Sequence, residues 1–595
     1  MQAQFRSETK SSANGAKRTS GADRARIYKN KDELRELLFS CRGYFITAVI
    51  FSLAINLLYL AGPLYMLQVY DRVVSSGSMV TLLMLTILLL VAFAALAGLD
   101  LVRTRILARA SIRLDQRMAG RVMAAIVDAS LKTGTAKSQY LRDFDHVRQC
   151  ITGVGIHALL DLPWAPIYIA VIFLLHPLLG AFALGAAILL ILVALLNEWW
   201  VRGPLGEANE AGVRGYSFAD MSLRNAEVVQ AMGMLGGLLR RWSRDRDLAL
   251  DRQLTASDRA AAMSSLIRFL RLSVQSIILG LGAYLVVERA VTVGSMFAAA
   301  ILLGRAMQPV EQIVGAWRTV VSARSAYGRV GMLLKATPEP EPRLSLPRPA
   351  GNLSVENVSY MLHGSSRPIL RAIEFQLAAG ELLGVVGPSG AGKSTLARHI
   401  VGVLAPTAGS VRLDGADVST WPRASFGCHV GYLPQDIELF ADTVAANISR
   451  FQNGDDDKVI EAAKRASVHE MILRLPNGYE TQVGEGGAIL SGGYRQRIGL
   501  ARAIYGNPSL VVLDEPSSNL DVDGDSALMD CLAQLKKAGT AVVIISHRPS
   551  TLGVADKILM IRDGAVELFG PRTEILARLT RPVAVPATPA RSAES

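Results

Sequence analysis

Two stretches near the start of this chain, Tyr44 to Val69 and Met79 to Leu99, contain no charged residue. About 20 such residues in a helix cross a hydrocarbon layer of roughly 30 Å, and inside that layer only helices and closed barrels satisfy their own backbone hydrogen bonds. The pair therefore reads as a membrane hairpin, with the polar stretch Tyr70 to Ser78 as its outer turn. Orientation follows from charge. Arg and Lys crowd the segment before the first run, and Arg103, Arg105, Arg109, Arg113, Arg117 and Arg121 follow the second, which places those ends in the cytoplasm.

Leu162 to Leu196 also lacks Asp, Glu, Lys and Arg and is too long for one crossing. His176-Pro177 near its middle supplies a tight outer turn, so it is read as two spans. A weaker hairpin follows around Glu288-Arg289. The expected spans are then 44–69, 79–101, 157–175, 177–196, 268–287 and 291–309 within a membrane domain over 41–335. Residues 102–156 and 197–263 alternate charged and apolar positions at helical spacing, which predicts two long cytoplasmic helical extensions. Arg268 and Arg271, near the inner end of the fifth span, admit two readings: lining a substrate vestibule, or reaching the interface and pairing with acidic neighbours.

A length of 595 residues calls for more than one core. The net charge of +12 raises the question of nucleic acid. Much of the excess lies in the first 42 residues and beside the spans, where it fits topology and contact with the lipid bilayer, and no nucleic-acid motif accompanies it. Residues 1–40 read as a disordered basic tail ending in a short helix, too long and too charged for a cleaved signal peptide. Four scattered cysteines form no metal or disulfide pattern. A proline-rich linker over 336–350 leads to an α/β domain over 351–580, and 581–595 reads as a disordered tail.

The α/β domain carries the chemistry. Gly387-Pro388-Ser389-Gly390-Ala391-Gly392-Lys393-Ser394-Thr395 fits the phosphate-binding loop pattern between a strand-like run, Leu382 to Val386, and a helix-like run. Glycines let backbone N–H groups close around nucleotide phosphates, the Lys393 ammonium reaches the terminal ones, and the Ser394 hydroxyl is placed to bind Mg²⁺. Leu510 to Asp514 is a buried-strand pattern ending in an acid. Asp514 is expected to hold Mg²⁺ through water, and Glu515 to deprotonate the attacking water. Ser491-Gly492-Gly493 opens a helical run and offers a second anion site.

Phosphate loop, Leu490-Ser491-Gly492-Gly493 and Asp514-Glu515, in that order, resemble the ATP-binding cassette (ABC) ATPases. The resemblance implies that two such domains pair head to tail, the Ser491 motif of one closing over the ATP of the other. It also implies roles for further residues: Tyr360 stacking on adenine, Gln435 contacting Mg²⁺ and water, Asp521 in the loop communicating across the dimer, and His547 at the γ-phosphate. Thr481 to Gly487 resembles the segment that exporters place against the membrane domain. Tyr494 stands where such families usually have glutamine.

Six spans before one cassette is the half-transporter arrangement, which implies a homodimer. Pro63 to Val73 and Asn225 to Met234 resemble the permease-ATPases of type I protein secretion, in the metalloprotease-exporting branch. That resemblance implies a bacterial inner-membrane pump working with a periplasmic membrane-fusion adaptor and a TolC-like outer-membrane channel on an unfolded secreted protein bearing an uncleaved C-terminal signal. The short N-terminal segment leaves no room for a peptidase domain, so substrates are expected to leave whole. An exporter of lipids or small hydrophobic molecules would share the spans and cassette motifs. A non-pumping ATP-gated channel is disfavoured by the presence of both Glu515 and His547.

Overall fold

The structure is a computed structural model that describes residues 33–133, 139–338, 346–362, 367–452 and 455–579. Residues 1–32 and 581–595 of the expected tails and 339–345 of the proline-rich linker lie outside the described residues. The chain divides into two units, Met1–Pro338 and Glu339–Ser595.

Among the described residues of the first unit, six helices are long and apolar enough to cross a membrane. A short helix α1 (Glu33–Ser40) precedes them, its Leu34 buried among Met118, Val122 and Phe144. Span 1 is assembled from α2 (Arg42–Leu58), α3 (Ala61–Gln68), a π-helical turn (Val69–Val73) and α4 (Val74–Ser76). Span 2 is the outer part of α5 (Met79–Thr133), whose remainder extends beyond the apolar run; α6 (Gln139–Thr152) follows. Span 3 joins α7 (Val154–Asp161) and α8 (Ala165–Leu175) through a 3-10 turn. His176 is extended, and Pro177 begins α9 (Pro177–Arg224), since the first turn of a helix has no use for the missing N–H.

Helix α9 and α11 (Leu235–Val287), separated by α10 (Ala226–Ala231), carry spans 4 and 5 on one pair of long helices. Span 6 is α12 (Val293–Gly315), and α13 (Trp317–Ala336) closes the unit. Spans 3 to 6 share one core around Tyr168, Leu179, Ile278, Ala299 and Leu303. Leu83, Leu88, Leu90 and Val91 of span 2 are exposed, as a lipid-facing surface requires. Arg271 pairs with Glu311 at 3.0 Å, the second of its two sequence readings, while Arg268 is exposed.

The outer turn differs from expectation. Helix continues through Tyr70 to Ser76, leaving Gly77 and Ser78 as the turn. The two charges that look like a loop have a helical job. The Asp71 carboxylate accepts from the Gly294 N–H at 2.9 Å and the Thr292 hydroxyl at 2.6 Å. It therefore caps span 6 from span 1, at the helix end that favours negative charge. A Cβ on Gly294 would lie 2.6 Å from that carboxylate oxygen, so only glycine admits the contact. Tyr70 stacks on Phe297 at 4.6 Å beside it. Replacing Asp71 with Ala is expected to cost about 0.5–2 kcal/mol, the scale of a lost cap, read as a melting temperature a few degrees lower in detergent. An unchanged melt would show that the cap carries no stability.

The second unit has an antiparallel sheet, order β2-β1-β4-β5, and a sheet of order β10-β9-β3-β8-β7-β6 that is parallel apart from β10. The first comprises β1 (Leu353–Met361), β2 (Pro368–Leu377), β4 (Ala408–Leu413) and β5 (Ala416–Asp417). The second comprises β3 (Leu382–Val386), β6 (Val430–Leu433), β7 (Leu510–Asp514), β8 (Ala541–Ile545), β9 (Lys557–Arg562) and β10 (Ala565–Pro571). Every residue of β7 and β8 is buried, which explains their unbroken apolar sequences. Strand alternation splits them between two cores: Val511, Leu513, Val542 and Ile544 on one face, Leu510, Val512, Val543 and Ile545 on the other.

Candidate functional site

Four neighbouring parallel strands deliver their next residues to one edge. Leu433 pairs with Leu513, Asp514 with Ile545, and Val385 with Ile545. Gln435, Glu515, His547 and Gly387 each follow within two residues of these register points. Ligand sites of open α/β sheets form at this carboxyl edge.

The loop after β3 leads into α14 (Lys393–Ile400). Gly387 has φ +152°, and a Cβ there would lie 2.1 Å from the Ile561 carbonyl oxygen. Glycine is thus required for the loop to leave the sheet. Lys393 is 7% exposed and donates to the carbonyls of Gly387 at 2.8 Å and Pro388 at 3.0 Å. Burial lowers its pKa; Glu515 and Asp514 act the other way.

Asp514 is buried at the end of β7. Burial raises its carboxyl above the usual aspartate range, a hydrogen bond with Ser394 lowers it, and the Glu515 charge raises it again. Its Oδ1 is buried without a hydrogen-bond partner. An orphaned carboxylate oxygen beside a serine hydroxyl is a hard-oxygen donor set of the kind that suits Mg²⁺. Among the described residues no group of three His, Cys, Asp or Glu stands ready for a metal, so a cation here would share its coordination with nucleotide oxygens.

Glu515 adopts φ +51°, a conformation that costs a non-glycine residue about 1–3 kcal/mol and concentrates at functional sites. Its N–H is held by the Ile545 carbonyl at 3.0 Å. Its carboxylate accepts from the Gln435 amide at 3.2 Å and lies 3.9 Å from His547 Nε2. Three residues read separately from sequence thus meet around one carboxylate.

Tyr360, on β1, is half-buried with its ring edge against the fully buried His399 ring of α14, centroids 4.8 Å apart. Burial lowers the His399 pKa, and its Nδ1 faces the Leu404 carbonyl at 2.9 Å.

Ser491 caps α15 (Gly492–Ile504), its hydroxyl accepting from the Tyr494 N–H at 3.5 Å. No hydrogen bond or ion pair joins Ser491, Gly492 or Gly493 to the Lys393–Asp514–Glu515 cluster among the described residues. The half-buried Tyr494 side chain packs against the core, so the departure from the usual glutamine is accommodated by packing. Arg450 closes the other end of this helix, donating to the Arg502 and Ala503 carbonyls at 2.9 Å each.

The connection between α15 and the strand-end carboxylates runs through Gln496, which sequence reading passed over. It is 1% exposed and donates to the Pro516 carbonyl at 2.7 Å and the Glu515 carbonyl at 3.4 Å, while Asn519 donates to its amide oxygen at 3.3 Å. Asp521 begins α16 (Val522–Lys537), accepting from the Gly524 N–H at 2.9 Å and pairing with Arg497 of α15 at 3.0 Å. A glutamine inside an otherwise apolar helical face was the available signal.

Six membrane-crossing helices followed by this ATPase domain define an ABC transporter of the exporter class. The chain matches the family models "ABC transporter transmembrane region" over residues 45–310 and "ABC transporter" over 370–518. It belongs to the type I secretion permease-ATPases within that class. It is 43% identical, over 92% of this chain and 94% of the relative, to the type I secretion system ATP-binding protein PrsD of Rhizobium meliloti. It is 30% identical, over 89% and 75%, to the cyclolysin secretion/processing ATP-binding protein CyaB of Bordetella pertussis. A solved bacterial Atm1-family ABC exporter with ATP bound shares the fold, with a TM-score of 0.79, 24% identity and coverage of 90% of this chain and 96% of that one. The protein is a multi-pass inner-membrane ABC ATPase with its ATPase domain in the cytoplasm.

Because the folded state holds the Asp514 proton more tightly than the unfolded chain does, ionised Asp514 costs stability as pH rises above the unfolded value of about 3.9. Without nucleotide, Asp514→Asn is therefore expected to melt at or above the native temperature at about pH 8, with the gap closing as pH falls towards the unfolded value. The same variant is expected to lose Mg²⁺-dependent stabilisation by ATP. A lower melt across the whole range would show that the carboxylate supports the fold.

Proposed function

We propose that this chain is the ATP-driven inner-membrane component of a type I secretion system, exporting unfolded proteins whole under an uncleaved C-terminal signal. The observation that carries the reading is the meeting of Glu515 with Gln435 and His547 at the strand ends, in a chain whose membrane half carries the secretion-type stretches Pro63 to Val73 and Asn225 to Met234. Partners on this reading are a second copy of the chain, a periplasmic adaptor and a TolC-like outer-membrane channel. Similarity to PrsD and CyaB supports it.

In the proposed cycle, backbone N–H groups of Gly387 to Thr395 and the Lys393 ammonium hold the phosphates, and Tyr360 packs on the adenine. Ser394, Asp514 and Gln435 would hold Mg²⁺, Asp514 through water, and the ion when bound neutralises phosphate charge. Glu515 takes the proton of the attacking water, with Gln435 orienting that carboxylate, and His547 reaches towards the γ-phosphate. Ser491, Gly492, Gly493 and Asp521 of one copy close over the nucleotide of the other, and closure shifts the membrane helices.

Replacing Glu515 with Gln is expected to lower ATP turnover by roughly 10²- to 10⁴-fold, the contribution of a positioned base, with ATP binding retained. Culture-supernatant proteomes of cells carrying the native chain and this variant give the functional test. Loss of one or a few full-length proteins from the medium, with cytoplasmic retention and no periplasmic pool, is the expected result. An unchanged supernatant with altered envelope lipids or small-molecule resistance would replace protein export with lipid or drug export.

A further inference from the structure

Between spans 1, 2, 3 and 6 lies a chamber of about 260 Å³. Its wall is polar: Val154 and Pro309 are the only aliphatic side chains among the lining residues. Charged groups within membrane spans are costly and mark functional sites.

Both carboxylates hydrogen-bond to one cation, Arg103. Arg103, 6% exposed, donates to Asp161 at 2.7 Å, to Asp100 at 2.7 Å and to the Ser52 hydroxyl at 2.9 Å. Asn56 adds a bond to Asp161 at 3.0 Å, and the Tyr168 hydroxyl donates to the Asn56 amide oxygen at 2.8 Å. This knot fixes spans 1, 2 and 3 together.

Arg305 of span 6 is different. No carboxylate lies within ion-pair distance of it among the described residues; its guanidinium sits 4.1 Å from the Tyr59 ring centroid and donates to the Gln308 amide oxygen at 3.1 Å. A guanidinium has five N–H donors, so most of its donor capacity remains unspent. Stacking on Tyr59 holds its plane in place. His157 lines the same chamber. Its Nδ1 faces the Gly153 carbonyl at 3.2 Å, which fixes the proton there in the neutral ring and leaves the buried Nε2 as an acceptor without a partner.

We propose that this chamber binds a carboxylate side chain of the exported polypeptide during its passage, with Arg305 taking the carboxylate and His157 Nε2 accepting a peptide N–H. The proposal rests on the protein-export reading above. A peptide supplies both an acceptor for Arg305 and a donor for His157. A lipid headgroup would supply the anion, but its tails would meet a polar wall. The volume falls below the roughly 300–1,000 Å³ of drug-sized pockets, which suits one acidic side chain with its peptide group.

The test uses the full chain in nanodiscs of neutral lipid and two capped, fluorescent pentapeptides, Gly-Ser-Glu-Ser-Gly and its Gln counterpart, followed by fluorescence anisotropy. The native chain is expected to bind the Glu peptide about tenfold or more tightly than the Gln peptide, the scale of one charge-assisted hydrogen bond. Arg305→Gln is expected to erase the difference and Arg305→Lys to restore part of it, with melting temperature as the folding control. Equal binding of the two peptides by the native chain overturns the proposal without need of any variant. So does displacement of the Glu peptide by phosphatidylglycerol but not by free glutamate, which would assign the chamber to lipid. The two readings fail separately: full export by Arg305→Gln cells sinks the chamber alone, whereas unchanged export by Glu515→Gln cells sinks protein export itself.

Discussion

Inside a hydrocarbon layer a backbone N–H or C=O has no water to bind, and that constraint shapes everything in the first half of this molecule. It forces helices, and it pushes every exception to helix ends or into the protein interior. The exceptions seen here obey it. Span 6 begins under a carboxylate lent by span 1, the chain reverses at His176 with Pro177 opening the next helix, and buried Arg103 is held between Asp161 and Asp100. The long helices α9 and α11 then carry the same hydrogen-bonded rods well past the apolar zone, where charged side chains such as Arg252 and Glu207 pair at 3.1 Å.

The second half answers a different constraint. A parallel sheet buried on both faces leaves its strand ends as the place where polar groups can gather, and register decides which ones. Asp514 and Glu515 are consecutive yet opposite in situation. The first is buried, proton-avid and short of a partner; the second is turned through a left-handed backbone towards Gln435 and His547. Both conditions work against the nucleotide-free fold, which is the usual signature of a site shaped for a ligand.

Much of this was legible in sequence because it is local. An uncharged run needs no tertiary information to be a membrane helix, and a glycine-rich loop between strand and helix declares its own geometry. What depends on distant contacts was not legible. Tyr70 to Ser78 reads as a turn because Asp71 and Arg72 are charged, and only the arrival of Gly294 and Thr292 explains why helix persists there. Gln496 looks like one more polar helix residue until the strand end carrying Glu515 is folded against it. Arg305 and His157 lie 148 residues apart (305 − 157), and nothing in either neighbourhood announces a shared chamber. Tyr494 departs from the family pattern, and its packing against the core shows how the departure is accommodated.

On the protein-export reading, ATP turnover in this chain is coupled to a polypeptide. The most direct measurement is the ATPase rate of the purified native chain in nanodiscs, titrated with an unfolded secreted protein from the same cell. A saturable change in turnover with the polypeptide, and none with membrane lipids or small hydrophobic compounds, is the expected result. A rate that responds to those compounds and ignores every polypeptide would contradict it.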